Sequence, residues 1–221
     1  EVETYGVELE ESRAMEAVIE LDHVIHDGYE HLRTEPKYSL LFLNPPYQDG
    51  FGERVETTFL RSLTGYKNVL QDEGLLVYII PQHVLDDSAG VLSSRFSDIR
   101  VYRFTDKNYD LFKQVVVFGR FKRPDPEEKK RNGRRLKELA KEGKNALPTL
   151  DTVDDVCYEL YPSDPVTVFR AGRMNDYELQ KDLMASPILE EAHEIFSNKI
   201  FEVTFERPIL ELKPMHYSVA T

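Results

Sequence analysis

Apolar and polar positions along the chain change period repeatedly, and each change predicts an element. Thr4-Tyr5-Gly6-Val7-Glu8-Leu9 leans apolar and ends in acids, and Ser12 to Glu20 follows with helix formers behind a Ser N-cap, so a strand and then a helix are predicted. His23-Val24-Ile25-His26 reads as a second strand closed by a turn at Asp27-Gly28. Tyr38 to Leu43 is a third, apolar on both faces as a buried parallel strand would be. Val55, Phe59, Leu63, Tyr66 and Leu70 recur at helical spacing and predict an amphipathic helix that stops at Glu73-Gly74. Leu75 to Ile80 is a fourth buried strand, closed by Pro81. A helix over Asp86 to Phe96 and strands over Ile99 to Phe104 and Gln114 to Phe121 complete the pattern, the last two strands being joined without a helix.

Strands that alternate with helices predict a mostly parallel, doubly wound sheet with helices on both faces over residues 1–121, and the helix-free join predicts one antiparallel strand near its edge. Residues 122–150 read as a charged helix or linker. Residues 151–221 read as a smaller α+β extension, with strands at Val166–Phe169 and Phe201–Phe205 and a helical run from Asn175 to Ser197. The chain shows no internal repeats.

Composition narrows the class. With 221 residues, 41% of them hydrophobic and 31% charged, the chain can bury a core and falls outside the disordered and low-complexity classes. The longest apolar run, Leu75 to Ile80, is far shorter than the roughly 20 residues a membrane helix needs, so no membrane span is expected. The single cysteine, Cys157, can close no internal disulfide, and no Cys/His spacing suggests a metal site; a reducing cytoplasm is the expected setting. The net charge of −12 argues against a polyanionic partner, but it is unevenly spread. Arg120 to Lys144 holds eleven Lys/Arg against five Asp/Glu, a basic segment of +6 on a body of −18.

The most specific feature is Asn44-Pro45-Pro46-Tyr47, directly after the third strand. In an open α/β sheet the carboxyl ends of the strands border the ligand crevice, so this tetrapeptide stands where chemistry is expected. Its two prolines fix φ and remove two N–H donors, which leaves a stiff loop offering the Asn44 side-chain oxygen and the Pro45 carbonyl as acceptors in fixed relation. That pair suits a planar –NH2 donor, and Tyr47 offers a face on which a planar base can stack. The alternative is a turn begun by Asn-Pro, with Tyr47 packed on the sheet edge.

The order of elements together with this motif resembles the class I S-adenosylmethionine-dependent methyltransferases, specifically the amino-methyltransferases that carry Asn-Pro-Pro-Tyr after their fourth strand. The resemblance spans roughly residues 1–121 and implies a Rossmann-like fold. It implies that Glu8, at the end of its strand, binds the ribose hydroxyls of S-adenosylmethionine, that Asp27 contacts its adenine, and that Asn44 lies against both cofactor and substrate. An adenine flipped from its helix would set N6 between the Asn44 side-chain oxygen and the Pro45 carbonyl, above Tyr47, with Phe112 as an aromatic against the base. The family's glycine-rich cofactor loop lies about 20 residues before its acidic ribose ligand. With Glu8 so near the start of the sequence, that loop is expected to be missing and cofactor binding to be weak.

The same motif fits glutamine side chains in proteins and bases in RNA. The basic stretch Lys129 to Arg135, with Arg134 and Arg135 expected on phosphates, favours DNA as the partner. The alternatives are a solvated helix in which Glu127, Glu128, Glu138 and Glu142 balance those charges, and a non-catalytic methyltransferase-like binding module. His23, His26, His83 and His216 form no triad with a nucleophile and are read as structural.

Overall fold

The computed structural model describes residues 2–48, 52–151 and 158–172, all but Gly172 of which fall in one compact unit running to Ala171. The expected helix at 175–197 and strand at 201–205, with Cys157 and His216, lie outside the described residues. No helix among the described residues is long and apolar enough to cross a membrane.

The described residues form a mixed α/β fold, with five α-helices and strands in both orientations among them. β1 (Tyr5–Glu8), α1 (Glu11–Glu20) and β2 (His23–His26) make a unit whose strands pair in parallel, Glu8 opposite His26. Glu10 caps α1 in place of the expected Ser12: its longer carboxylate accepts from the backbone N–H of both Ser12 and Arg13, at 3.1 and 2.9 Å. The main sheet runs β4 (Tyr38–Leu43), β5 (Leu70–Pro81), β7 (Gln114–Phe121), β6 (Phe96–Arg103). β4 and β5 are parallel, and β7 is antiparallel to both of its neighbours. A third, two-stranded sheet joins β3 (Leu32–Thr34) to β8 (Phe169–Ala171). Among the described residues backbone pairing therefore sets β1–β2 apart from the main sheet, where the sequence pattern predicted one sheet over residues 1–121, and adds β3, which it did not predict.

Two further differences have local causes. The helix predicted from Val55 to Leu70 ends early: α2 is Val55–Leu63. A Cβ on Gly65 would stand 2.6 Å from the Arg61 carbonyl oxygen, so the chain turns away there as only glycine allows. Leu70, the last residue of the apparent helical stripe, is instead the buried first residue of β5. The strands expected to join directly are separated by α4 (Asp106–Phe112), which ends on Lys113 in the left-handed conformation (φ 50°).

α3 (Val84–Arg95) and α2 cover one face of the main sheet, and α5 (Pro126–Leu139) packs on α3 through Leu136 and Leu139. The basic segment thus contains a docked helix. Leu60, Leu76, Tyr78, Ile80, Leu85, Leu92 and Phe96 are fully buried between these layers. The opposite face was expected to be buried as well, yet Leu40 and Phe42 on β4 remain 41% and 61% exposed.

That face is crossed near the amino end of β4 and the carboxyl end of β7 by residues 158–171. Tyr158 stacks on Phe118 at 5.7 Å, and the Arg120 guanidinium lies over the Tyr161 ring at 5.0 Å. Ser39 Oγ and Gln71 Nε2 both donate to the Tyr161 carbonyl. Glu35 accepts from the Thr167 backbone N–H and hydroxyl, each at 2.8 Å, and these bonds pull its carboxyl down to about 2. Because Glu35 takes the Thr167 and Val168 amides, ladder pairing begins only at Phe169, three residues later than the Val166 start predicted.

The unequal burial of the two faces predicts unequal costs. Leu60→Ala empties a closed site and should destabilise by about 2–5 kcal/mol, whereas Phe42→Ala should change stability by less than about 1 kcal/mol. Urea unfolding of the two variants checks this, and similar losses from both would show that the outer face is also core.

Candidate functional site

β1, β2, β4 and β5 run in parallel within their pairs and deliver polar groups at their carboxyl ends. Glu8 closes β1 and Asp27 follows β2, so the β1/β2 register sets them side by side. Glu8 Oε1 accepts from the Glu10 backbone N–H and from Arg13 Nη2, both at 2.9 Å. The Arg13 guanidinium, with backbone N–H donors, holds the Glu8 carboxyl below the ordinary carboxylate range, so it is ionised at neutral pH. Asp27 Oδ1 accepts from the Gly28 N–H at 2.7 Å and pairs with His31 Nδ1 at 2.9 Å. Tyr29 packs its ring on Phe59 of α2, 3.8 Å between centroids, which ties the loop after Asp27 to the helix that follows the Asn-Pro-Pro-Tyr motif.

Leu43 pairs with Tyr78, and the chain leaves the sheet at Asn44. Pro45 is buried, while Asn44 and Pro46 are exposed. Tyr47, 40% exposed, turns its hydroxyl back toward the motif and donates to Asn44 Oδ1 at 3.2 Å. The acceptor expected to be open to a substrate amine thus already carries an internal donor. The same hydroxyl accepts from Gln114 Nε2 at 2.7 Å. Burial pushes the Tyr47 phenol upward, Gln114 lowers it and the nearby Glu56 raises it, so it stays protonated at neutral pH.

Behind the motif lies a group the sequence reading missed. Glu56, in the first turn of α2, is fully buried and accepts from Arg54 Nη2 at 2.8 Å, while its second oxygen has no hydrogen-bond partner among the described residues. Beneath it the Thr57, Ser88 and Tyr78 hydroxyls form a buried chain, 3.0 and 3.3 Å between oxygens. Gln82, just past β5, was missed too. Its Nε2 donates to the Leu139 and Glu142 carbonyls at 2.5 and 2.9 Å, its Oε1 accepts from the Tyr109 hydroxyl, and it is buried. A buried amide satisfied on both ends locks α4 and the end of α5 to the tip of β5.

The other predicted residues lie apart from this cluster or on its rim. Phe112 ends α4 and is 62% exposed, two residues before Gln114; it is neither at a strand start nor in the core. Arg134 and Arg135 are exposed on α5, which packs on α3 and β6. β6 lies three strands from β4, roughly 14 Å across the sheet. Among the described residues no ion pair joins them to Glu127, Glu128, Glu138 or Glu142. Glu128 is instead occupied with the Asp98 N–H and the Asn132 side chain.

Polar groups gathered at the carboxyl ends of parallel strands are the arrangement by which α/β sheets bind nucleotide-like ligands and transfer groups. The chain belongs to an uncharacterised methyltransferase family (DUF6094), whose model matches residues 1–163, and this places it among the methyltransferases. No curated protein and no solved structure matched the chain.

The Glu8 environment makes a pH prediction. Because its carboxyl is depressed in the folded protein, the stabilisation from Arg13 and the backbone donors is present above the ordinary carboxylate range near 4 and is lost as the pH falls through the lowered value. Carboxyl-carbon NMR should show Glu8 titrating lower than a solvated glutamate, and Arg13→Ala should move its midpoint upward. An unmoved midpoint would remove Arg13 as the cause.

Proposed function

We propose that the protein uses S-adenosylmethionine to methylate an exocyclic amine on a planar group, specifically N6 of adenine in DNA. Residues 1–121 would be the Rossmann-like catalytic core and residues 122–150 a basic arm upon it. The observation that carries this reading is the position of Asn44-Pro45-Pro46-Tyr47 at the carboxyl end of β4, on a member of a methyltransferase family, with Glu8 and Asp27 ending neighbouring parallel strands. The lone Cys157 is in keeping with a cytoplasmic enzyme.

The cofactor's ribose and adenine suit the residues present. Glu8 is ionised, and its Oε1 carries the Glu10 and Arg13 bonds, which leaves Oε2 to accept a ribose hydroxyl. Asp27, held by Gly28 and His31, would accept from an adenine amine. Among the described residues no glycine-rich turn at this edge is assigned to the methionine end. When bound, S-adenosylmethionine supplies a methyl group already activated by its sulfonium charge.

The chain's own residues then have to bind and orient. The Asn44 side-chain oxygen and the Pro45 carbonyl accept the two N–H bonds of the target amine and turn its lone pair out of conjugation toward the methyl. Tyr47 supports the ring from below, and Phe112, exposed at the rim, closes on it. As the amine takes up the methyl it would give up one proton, which would leave along the hydrogen bond from nitrogen to an acceptor. No ionised base is needed in the attack itself.

Asn44→Ala removes one acceptor and should lower the transfer rate about 10²–10³-fold, while Tyr47→Ala should weaken capture of the base by about 1–3 kcal/mol. The check is transfer of labelled methyl groups to duplex DNA, RNA and protein in parallel, with nucleoside analysis for N6-methyladenine. Label in RNA or protein alone would keep the site and replace the substrate, and label in none would favour a binding module.

The arm makes a separate prediction. Replacing Arg134 and Arg135 together by Ala should weaken DNA binding similarly across sequences and flatten the slope of log K against log salt by about two. A slope equal to that of the wild type would leave α5 as a solvated helix.

A further inference from the structure

Three side chains from two segments, the loop after β4 and the start of β7, share one hydroxyl. Gln114 donates to the Tyr47 oxygen at 2.7 Å, and Tyr47 donates to Asn44 Oδ1 at the longer distance of 3.2 Å. The inequality matters because a phenol has a single hydrogen to give. A donor seated on its oxygen leaves that hydrogen only one way to point, and here it points to Asn44. An asparagine side chain has an acceptor end and a donor end of nearly the same shape, and a fixed O–H donor beside it selects the orientation with oxygen toward the hydroxyl. One lone pair of that oxygen is then occupied and the other remains for a second donor.

Gln114 is itself held firmly. Lys113, immediately before it, has a left-handed backbone whose N–H donates to the Tyr109 carbonyl at 2.7 Å and whose carbonyl accepts from the Gln82 N–H at 2.8 Å. Gln114 pairs across the ladder with Pro81, and its carbonyl accepts from the Phe104 N–H at 3.2 Å. Non-glycine residues seldom adopt the conformation of Lys113, and two backbone bonds hold it in place.

We propose that Gln114 is a positioning residue that sets the direction of a hydrogen-bond relay, Gln114 to Tyr47 to Asn44, and thereby presents the oxygen end of the Asn44 amide to the substrate's amine. The inference rests on the methylation reading for its purpose, but the relay is a property of the folded chain. Reversing the first link reverses the rest. A carboxylate at position 114 can only accept, so it takes the Tyr47 hydrogen. The Tyr47 oxygen must then accept from Asn44 Nδ2, and the amide turns its donor end to where an acceptor is required.

Two measurements test this. In the 221-residue protein with 13C-labelled tyrosine, Tyr47 should titrate higher in Gln114→Ala than in the wild type, because a donor that favours the phenolate is gone. The charge facing Tyr47 from α2 is Glu56, with Arg54 bound to it, and both are the same in every variant. An unmoved Tyr47 titration overturns the relay whether or not the protein methylates anything. In the transfer assay, Gln114→Glu should lower kcat about 10–100-fold with KM within about twofold. Placed on Tyr47→Phe, it should have little further effect, since the relay passes through the hydroxyl. An equal loss on both backgrounds, or full activity of Gln114→Glu, overturns the proposal and leaves the methylation reading standing. Absence of transfer by the wild type counts against the methylation reading alone, and the Tyr47 titration then decides the relay.

Discussion

The register of β5 against its two neighbours is the constraint on which the site depends. Leu43 opposite Tyr78 fixes where β4 ends and Asn44 begins, and Pro81 opposite Gln114 fixes where β7 starts. Both pairings are made by one strand, four of whose residues, Leu70, Leu76, Tyr78 and Ile80, are almost wholly buried. A slip by one residue would turn this set to the exposed face, so burial enforces the register far more strongly than any single hydrogen bond does. Asn44 and Gln114 are 70 residues apart in the chain, yet a single tyrosine hydroxyl reaches both.

Around that strand the fold distributes its polar groups unevenly. Hydroxyls of Thr57, Ser88 and Tyr78 and the carboxylate of Glu56 are buried beneath the motif, where an apolar core would have been simpler to stabilise. Buried polar groups are costly unless paired, and together they specify one arrangement of α2 and α3 against β5. At the opposite end of the strands, residues 158–171 bridge the sheets through aromatic and carboxylate contacts: Phe169 meets Tyr5 at 5.0 Å, and Tyr5 meets Tyr38 at 5.2 Å. β1–β2 and the main sheet are thus joined by side chains at the amino ends of β1 and β4, the ends opposite Glu8 and Asn44.

The charge pattern follows the same division. The chain is strongly acidic, and two of its paired acids, Glu8 and Asp27, sit at the carboxyl ends of strands, where partners fix them. Its cations collect on α5, whose apolar stripe of Leu136 and Leu139 is turned to the core, so that Arg134 and Arg135 face solvent. On an amphipathic helix, docking one face directs the other outward.

Much of this was legible in the chain itself. Alternation and apolar runs located β2, β4 and β7 to the residue, because strands that contribute to a core carry a continuous hydrophobic signal. The motif and its place after a strand were legible for the same reason, since proline stiffness is local and needs no partner. The end of α2 was not: Leu70 continues the helical stripe of Val55 and Leu63, but the spacing cannot tell a helix face from the first residue of the next strand, and the close approach at Gly65 decides it. Nor could sequence show that Phe42 stays exposed, because burial on a sheet's second face depends on what crosses it. The sequence alone determined β2, β4 and β7, the basic segment and the Asn-Pro-Pro-Tyr loop, all of which follow from short-range sterics and periodicity. Tertiary structure alone decided that Gln114, an unremarked first residue of a strand, meets Tyr47, and that Glu56 lies buried behind the motif. The proximity of these groups is set by β-ladder register and helix packing, and neither is written in any local stretch of the chain.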